Sequence, residues 1–197
     1  AFVLSKFLTD YTYDELLEDC MKAYSDESFP GGAAPLKKVE DNLYSLELWH
    51  GPTAAFKDMA LQIMPRLLSR ALTKTNESNT ALILVATSGD TGKAALEGYK
   101  DVDGVKIMVF YPVDGVSKVQ KLQMATQTGT NVNVCAIKGN FDDAQTGVKK
   151  IFADNTAKEK LLENSYVLSS ANSINWGRLA PQIVYYISAY CDLLSAG

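Results

Sequence analysis

Lys57 is the residue whose type and position best suit chemistry in this sequence. It follows Leu48-Trp49-His50-Gly51-Pro52-Thr53-Ala54-Ala55-Phe56 and precedes Asp58 and an apolar stretch, so it leaves a Gly-Pro turn and enters a helix. The first turn of a helix carries partial positive charge, which disfavours an ammonium. An amine there is easier to deprotonate, and a neutral lysine amine is the nucleophile of Schiff-base chemistry with a carbonyl. Position alone also allows a plain surface lysine at a helix start.

Three other segments concentrate polar groups where an apolar strand gives way to a helix. In Thr87-Ser88-Gly89-Asp90-Thr91-Gly92, two glycines and three hydroxyls at a helix amino terminus can cradle an oxyanion. An ordinary capped strand–helix turn is the alternative. A nucleotide P-loop is excluded, because Gly89 and Gly92 are too close and Lys93 is followed by alanine, and the pattern is not GxGxxG. Lys138-Gly139-Asn140-Phe141-Asp142-Asp143 pairs two carboxylates, which in a first helical turn act as caps and dipole partners. In Ser169-Ser170-Ala171-Asn172-Ser173-Ile174-Asn175-Trp176-Gly177-Arg178, the side chains of Asn172, Ser173, Asn175 and Arg178 can clamp a phosphate or carboxylate. Asparagine capping beside a surface arginine is the bland alternative.

The elements that must position these residues follow from periodicity. Residues 10–24 form an amphipathic helix with Leu16, Leu17, Cys20 and Met21 on one side and Asp10 or Thr12 as its cap. Residues 29–35 are a loop and residues 44–48 alternate like a strand. A helix covers residues 56–72, kinked or restarted at Pro65. Strands at 81–86, 106–111, 132–137 and 166–170 alternate with helices ending near 98, at 117–126, at 141–155 and at 176–194. Apolar strand runs alternating with helices indicate a parallel sheet covered on both faces with right-handed crossovers. The fold class is therefore α/β with a doubly wound parallel sheet, whose ligands gather beyond the strand carboxyl ends.

Composition narrows the function classes. The 197 residues are 47% apolar and 21% charged, as in a globular protein, and length suggests one domain or a small pair. A net charge of −4 argues against nucleic acid as a partner, while leaving room for small anions held by backbone amides. Cys20, Cys135 and Cys191 lack CxxC spacing and are odd in number, so they signal neither a disulfide framework nor a zinc site. His50 stands alone, which rules out a multi-histidine metal site, and no G-x-S-x-G elbow accompanies it. No metal is expected. No apolar run reaches the ~20 residues of a membrane span, and no signal peptide is seen, so a cytoplasmic, membrane-free protein is expected. The start at Ala1 and the stop at Ser195-Ala196-Gly197 directly after a long apolar helix suggest a fragment.

Taken together, these segments resemble the threonine synthase family. Glu47-Leu48-Trp49-His50-Gly51-Pro52-Thr53-Ala54-Ala55-Phe56-Lys57-Asp58 is similar to its ELFHGPT-x-AFKD signature, and Thr87-Ser88-Gly89-Asp90-Thr91-Gly92 to its TSGDTG loop. Tyr111-Pro112, Gly115-Val116-Ser117, Gln120, Gln123-Met124, Gly139-Asn140-Phe141-Asp142-Asp143 and the Asn172 to Arg178 segment fall in the family's order and spacing. The likeness covers residues 44–190; the first forty residues match loosely.

The resemblance implies a partial type II fold of the tryptophan synthase β kind, dependent on pyridoxal 5'-phosphate (PLP). The implied activity converts O-phospho-L-homoserine and water into L-threonine and phosphate. Lys57 corresponds to the lysine that holds PLP and then shuttles protons, with Ser88 and Asp90 beside the cofactor. Ser88, Gly89, Thr91 and Gly92 are the implied contacts of the substrate α-carboxylate. Asn172, Ser173, Asn175 and Arg178 are the candidates for its phosphate. Residues 1–43 are expected to be a helical and loop region, and residues 44–197 the α/β segment containing the smaller parallel-sheet domain. The family's PLP-phosphate loop and the residue facing the pyridine nitrogen lie downstream of the tyrosine-rich helix at 182–194. The segment alone is thus expected to lack part of the large domain, and to be inactive and free of PLP. Two alternatives remain: a threonine-synthase-like phospho-lyase on another phosphorylated amino compound, and a non-catalytic binder of a phosphometabolite. Retention of Lys57 argues against the second. The sequence does not signal an oligomeric state.

Overall fold

A computed structural model describes residues 1–195; the last two residues of the expected 44–197 segment lie outside it. After a 3-10 turn at Leu4–Lys6, helix α1 (Tyr13–Ala23) is closed by a reciprocal cap in which Thr12 Oγ1 accepts from the Glu15 amide and Glu15 accepts from the Thr12 amide. Its inward stripe is Leu16, Asp19, Cys20 and Ala23, not the expected one: Leu17 and Met21 are exposed. Asp19 can sit inside because Arg70 on α3 holds both its oxygens, at 2.8 and 2.9 Å.

Strands β1 (Leu36–Glu40) and β2 (Leu43–Leu46) form an antiparallel hairpin. The division expected at residues 43/44 falls at the start of its second strand. The helix expected over residues 56–72 is two helices, α2 (Asp58–Leu61) and α3 (Met64–Lys74). Pro65 occupies the first turn of α3, where its missing N–H leaves no bond unmade.

Four parallel strands, β3 (Thr80–Ala86), β4 (Val105–Pro112), β5 (Val132–Ile137) and β6 (Tyr166–Ser169), lie in the order β5-β4-β3-β6. The chain runs outward from β3 to β5 and returns to lay β6 on the other side of β3. That reversal places the carboxyl ends of β3 and β6 side by side, at the switch point where doubly wound sheets bind ligands. Helices α4 (Asp90–Tyr99) and α5 (Lys118–Ala125) connect the outward strands. Helices α6 (Phe141–Ala153) and α7 (Asn155–Glu163) make the return, and α8 (Trp176–Ser195) follows β6. The single helix expected at residues 141–155 stops early because Asp154 caps a new one, accepting from the amides of Thr156 and Ala157.

The two sheet faces are unequally covered. Ile83, Val85, Ile107 and Val109 are buried against Ala94, Ala95, Leu96 and Tyr99 of α4, and each large side chain of that set contributes about 1.5–3 kcal/mol. On the opposite face Leu82, Met108 and Phe110 are only half-buried. Beneath α6 that face opens at the carboxyl end of β3. Among the described residues no helix is long and apolar enough to cross a membrane.

Candidate active site

Lys57 stands at the N-cap of α2 with helical dihedrals. The turn before it is fixed from below by Asp58, which is fully buried. Asp58 accepts from the Thr53 amide at 2.9 Å, the Thr53 hydroxyl at 2.7 Å and, weakly, the Ala55 amide at 3.5 Å. Burial nevertheless pushes the Asp58 carboxyl above its ordinary range, opposed by these bonds and by Lys93. His50 pairs with Glu47 at 2.7 Å beside the same turn.

Above the turn, Lys57 Nζ lies 3.7 Å from Asp90 Oδ2, and Lys93 Nζ lies 3.3 Å from Asp90 Oδ1. Gln120 on α5 donates to Asp90 Oδ1 at 2.8 Å. This bond, with Lys93 and Lys57, holds the Asp90 carboxyl below its usual range against partial burial. The contact needs a glycine at position 89, where φ is +140° and a Cβ would run into the Gln120 amide. One carboxylate therefore sits between two lysines. Of the two, Lys93 is packed into the core and Lys57 remains more open, with side-chain exposures of 10% and 18%.

The loop after β3 differs from expectation in one respect. The amides of Gly89 and Gly92 both donate to Thr87 Oγ1, at 3.0 and 2.9 Å, so neither is free for an anion. Thr87 Oγ1, one of the three hydroxyls of the expected oxyanion cradle, is instead taken up by these two amides. The Asp90 and Thr91 amides, at the amino terminus of α4, have no partner among the described residues.

Ser88 and Thr91 line a cavity of about 390 Å³ that runs under α6 to the loop after β6. Asn172, Ser173 and Arg178 line it as well, whereas Lys57, Gly89, Asp90, Gly92 and Asn175 do not. Lys57 and Asp90 form a separate cluster on the α2 side of the same loop. Asn175 is spent on structure: its amide donates to the Ser170 carbonyl and its oxygen accepts from Gly177. Asn172 Oδ1 accepts from the Ile174 amide, leaving its NH₂ near Ser170 Oγ at 3.3 Å.

Arg178 is not the surface arginine of the bland alternative. It is only 4% exposed, donates from Nη1 to the Ala171 carbonyl, and has no partner at Nε. Burial lowers its affinity for a proton, with Tyr99 opposing. Among the described residues no carboxylate lies within 4 Å of it, and neither aspartate nor glutamate lines the cavity. A buried guanidinium without a counter-charge, on the wall of a cavity that also presents Ser88, Thr91, Asn172 and Ser173, fits an anion. Asp143 closes a capping box with Asn140, so the paired carboxylates of α6 serve the helix. Cys20, Cys135 and Cys191 are free thiols.

No protein-family model matches the chain. It is 42% identical over 186 residues to threonine synthase from Pseudomonas aeruginosa, an alignment covering 94% of this chain and 37% of that protein. It is also 42% identical over 181 residues to human threonine synthase-like 1, covering 89% and 24% of the two. Its fold matches a PLP-bound threonine synthase from Brucella melitensis with a TM-score of 0.83 and 39% identity, over 97% of this chain and 40% of that one. Yeast threonine synthase aligns with a TM-score of 0.75 and 36% identity, over 86% and 34%. The chain thus spans well under half the length of the relatives it matches. By sequence and by fold, it matches one segment of threonine synthases and carries part of the fold of type II PLP enzymes.

Proposed function

We propose that the longer protein to which this segment corresponds converts O-phospho-L-homoserine and water into L-threonine and phosphate, using PLP attached at Lys57 Nζ. The observation that carries this reading is the loop after β3. One side of it sets Asp90 beside Lys57, and the other opens onto a cavity walled by an unpaired Arg178.

The residues present fit the reactive end of the cofactor: a half-open lysine at a helix start, without a hydrogen bond holding it, next to an ionised carboxylate and a helix amino terminus. When bound, PLP supplies the electron sink for carbanion chemistry. Lys57 Nζ would hold the cofactor, and its amine, when free, would take up and return protons. Ser88 and Asp90 would help to hold the cofactor, and Lys93 with Gln120 keeps Asp90 fixed. The free Asp90 and Thr91 amides and the Ser88 hydroxyl receive the substrate carboxylate, while Gly89 and Gly92 shape the loop. Arg178, Asn172 and Ser173 receive the phosphate, with Asn175 holding their loop. The partner is this small molecule, and a cytoplasmic setting is part of the same proposal.

A second reading, a phospho-lyase acting on another phosphorylated amino compound, is favoured by the equal identity to threonine synthase-like 1. Incubating the full-length protein with PLP and O-phospho-L-homoserine separates the two. Threonine and phosphate released in equal amounts, and abolished in Lys57→Ala, are expected. Phosphate release without threonine moves the assignment to the second reading, and activity surviving in Lys57→Ala overturns both.

A further inference from the structure

The cavity under α6 has a second cation that the sequence did not single out. Lys149 lies on the α6 wall, in the cavity lined on its other side by Arg178. The Lys149 ammonium reaches back along the helix to Gln145 Oε1 at 3.3 Å, and Gln145 also lines the cavity. Among the described residues no carboxylate lies within 4 Å of Lys149. Its neighbour Lys150 is exposed on the same helix but takes no part in the cavity.

Charge and shape together define what this space accepts. The lining holds two cations and no carboxylate, so an occupant carrying two negative charges balances it, and one with a single charge does not. Phe141 and Phe152 on α6 limit water near the anion, which strengthens each charged contact. Arg178 is buried and fixed by the Ala171 carbonyl, whereas Lys149 is an exposed side chain on the α6 wall, held only by Gln145. A rigid guanidinium with a flexible ammonium facing it can close on a tetrahedral dianion from two sides.

We infer that Lys149, presented by α6 across the cavity from Arg178, is the second cation of a phosphate site and selects a dianionic phosphate monoester over a singly charged group. This rests on the reading of Arg178 as the anion residue. Lys149 is a specificity residue that helix α6 brings into the site; Gln145 keeps its ammonium over the cavity.

Binding of inorganic phosphate to the chain, followed by amide chemical shifts at constant ionic strength, tests this. Lys149→Met is expected to weaken phosphate by about tenfold, since a charge-assisted contact in such a site is worth on the order of 1.4 kcal/mol. Lys150→Met should leave it within about twofold, as expected of an exposed charge outside the site. Lys149→Arg should restore most of the loss, which a packing role for the lysine stem would not require. Phosphate affinity lost in Arg178→Met but unchanged in Lys149→Met overturns the inference while sparing the Arg178 site. Equal weakening by Lys149→Met and Lys150→Met overturns it too, as a general charge effect. No shift at residues 170–178 with phosphate overturns both.

Discussion

Replacing Asp58 by alanine should undo the turn that presents Lys57, and the structure sets the size of the effect. The Thr53 amide and hydroxyl, in a residue only 6% exposed, both donate to the Asp58 carboxylate, and alanine leaves them without an acceptor. Each unsatisfied buried donor costs about 1–3 kcal/mol, though the hydroxyl can rotate, so a total of about 3 kcal/mol is expected. Ala54 in the same turn has φ of +54°, a conformation costing a further ~1 kcal/mol that these bonds offset. With a urea slope of about 2 kcal/mol/M, the unfolding midpoint of Asp58→Ala should fall by about 1.5 M.

Asparagine behaves differently. Its oxygen can accept from the Thr53 and Ala55 amides while its NH₂ donates to the Thr53 hydroxyl, so Asp58→Asn should stay within about 1 kcal/mol of the parent near neutral pH. It also removes a titration. Burial raises the folded carboxyl above its ordinary range, so folding binds this proton more tightly than the unfolded chain does. The stability it contributes is present below the ordinary carboxylate range and lost as pH rises through the folded value. The parent's stability relative to Asp58→Asn should therefore decline as pH rises above the ordinary carboxylate range. An Asp58→Ala midpoint equal to the parent's would refute the anchoring role, and a difference that grows in the parent's favour with pH would refute the burial argument.

Three other substitutions probe the frame. Gly98→Ala places a Cβ on the Leu61 carbonyl oxygen where α4 crosses α2, and should cost more than about 3 kcal/mol in urea unfolding. Asn131→Asp turns the NH₂ that donates to the Tyr99 and Val105 carbonyls into a buried carboxylate oxygen; a loss of about 3–5 kcal/mol, relieved on acidification, should appear in thermal unfolding. Gly89→Ala forces Gln120 off Asp90, and its side-chain amide resonances should move to exposed values while global stability falls by about 1–3 kcal/mol.

What sequence reasoning could see depended on burial. The parallel strands β3 and β4 were readable because their buried residues are apolar and largely β-branched, and β5, which buries no residue fully, through its half-buried Val132, Val134 and Ile137; Lys57's place at a helix start followed from the Gly-Pro turn. Strand β1 was not readable: Lys37, Lys38 and Glu40 dominate it and all but its first residue are exposed. Helix α7 buries no residue and so has no apolar stripe to announce it. Leu17 and Met21 misled because a helix tucked against α3 buries Asp19 with an arginine instead. Within the site, side-chain type located Arg178 but not its burial. The capture of two glycine amides by Thr87, and the arrival of Lys149 opposite Arg178, depend on tertiary geometry that spacing along the chain does not encode.

The central question is which of the two lysines at Asp90 reacts. Borohydride reduction of the full-length protein with PLP, followed by peptide mass mapping, answers it. A pyridoxyl group on Lys57 alone is expected, because Lys57 is the more open of the two and stands at the amino terminus of α2. Modification of Lys93 in its place, or a scatter over exposed lysines that Lys57→Ala leaves unchanged, would contradict the assignment.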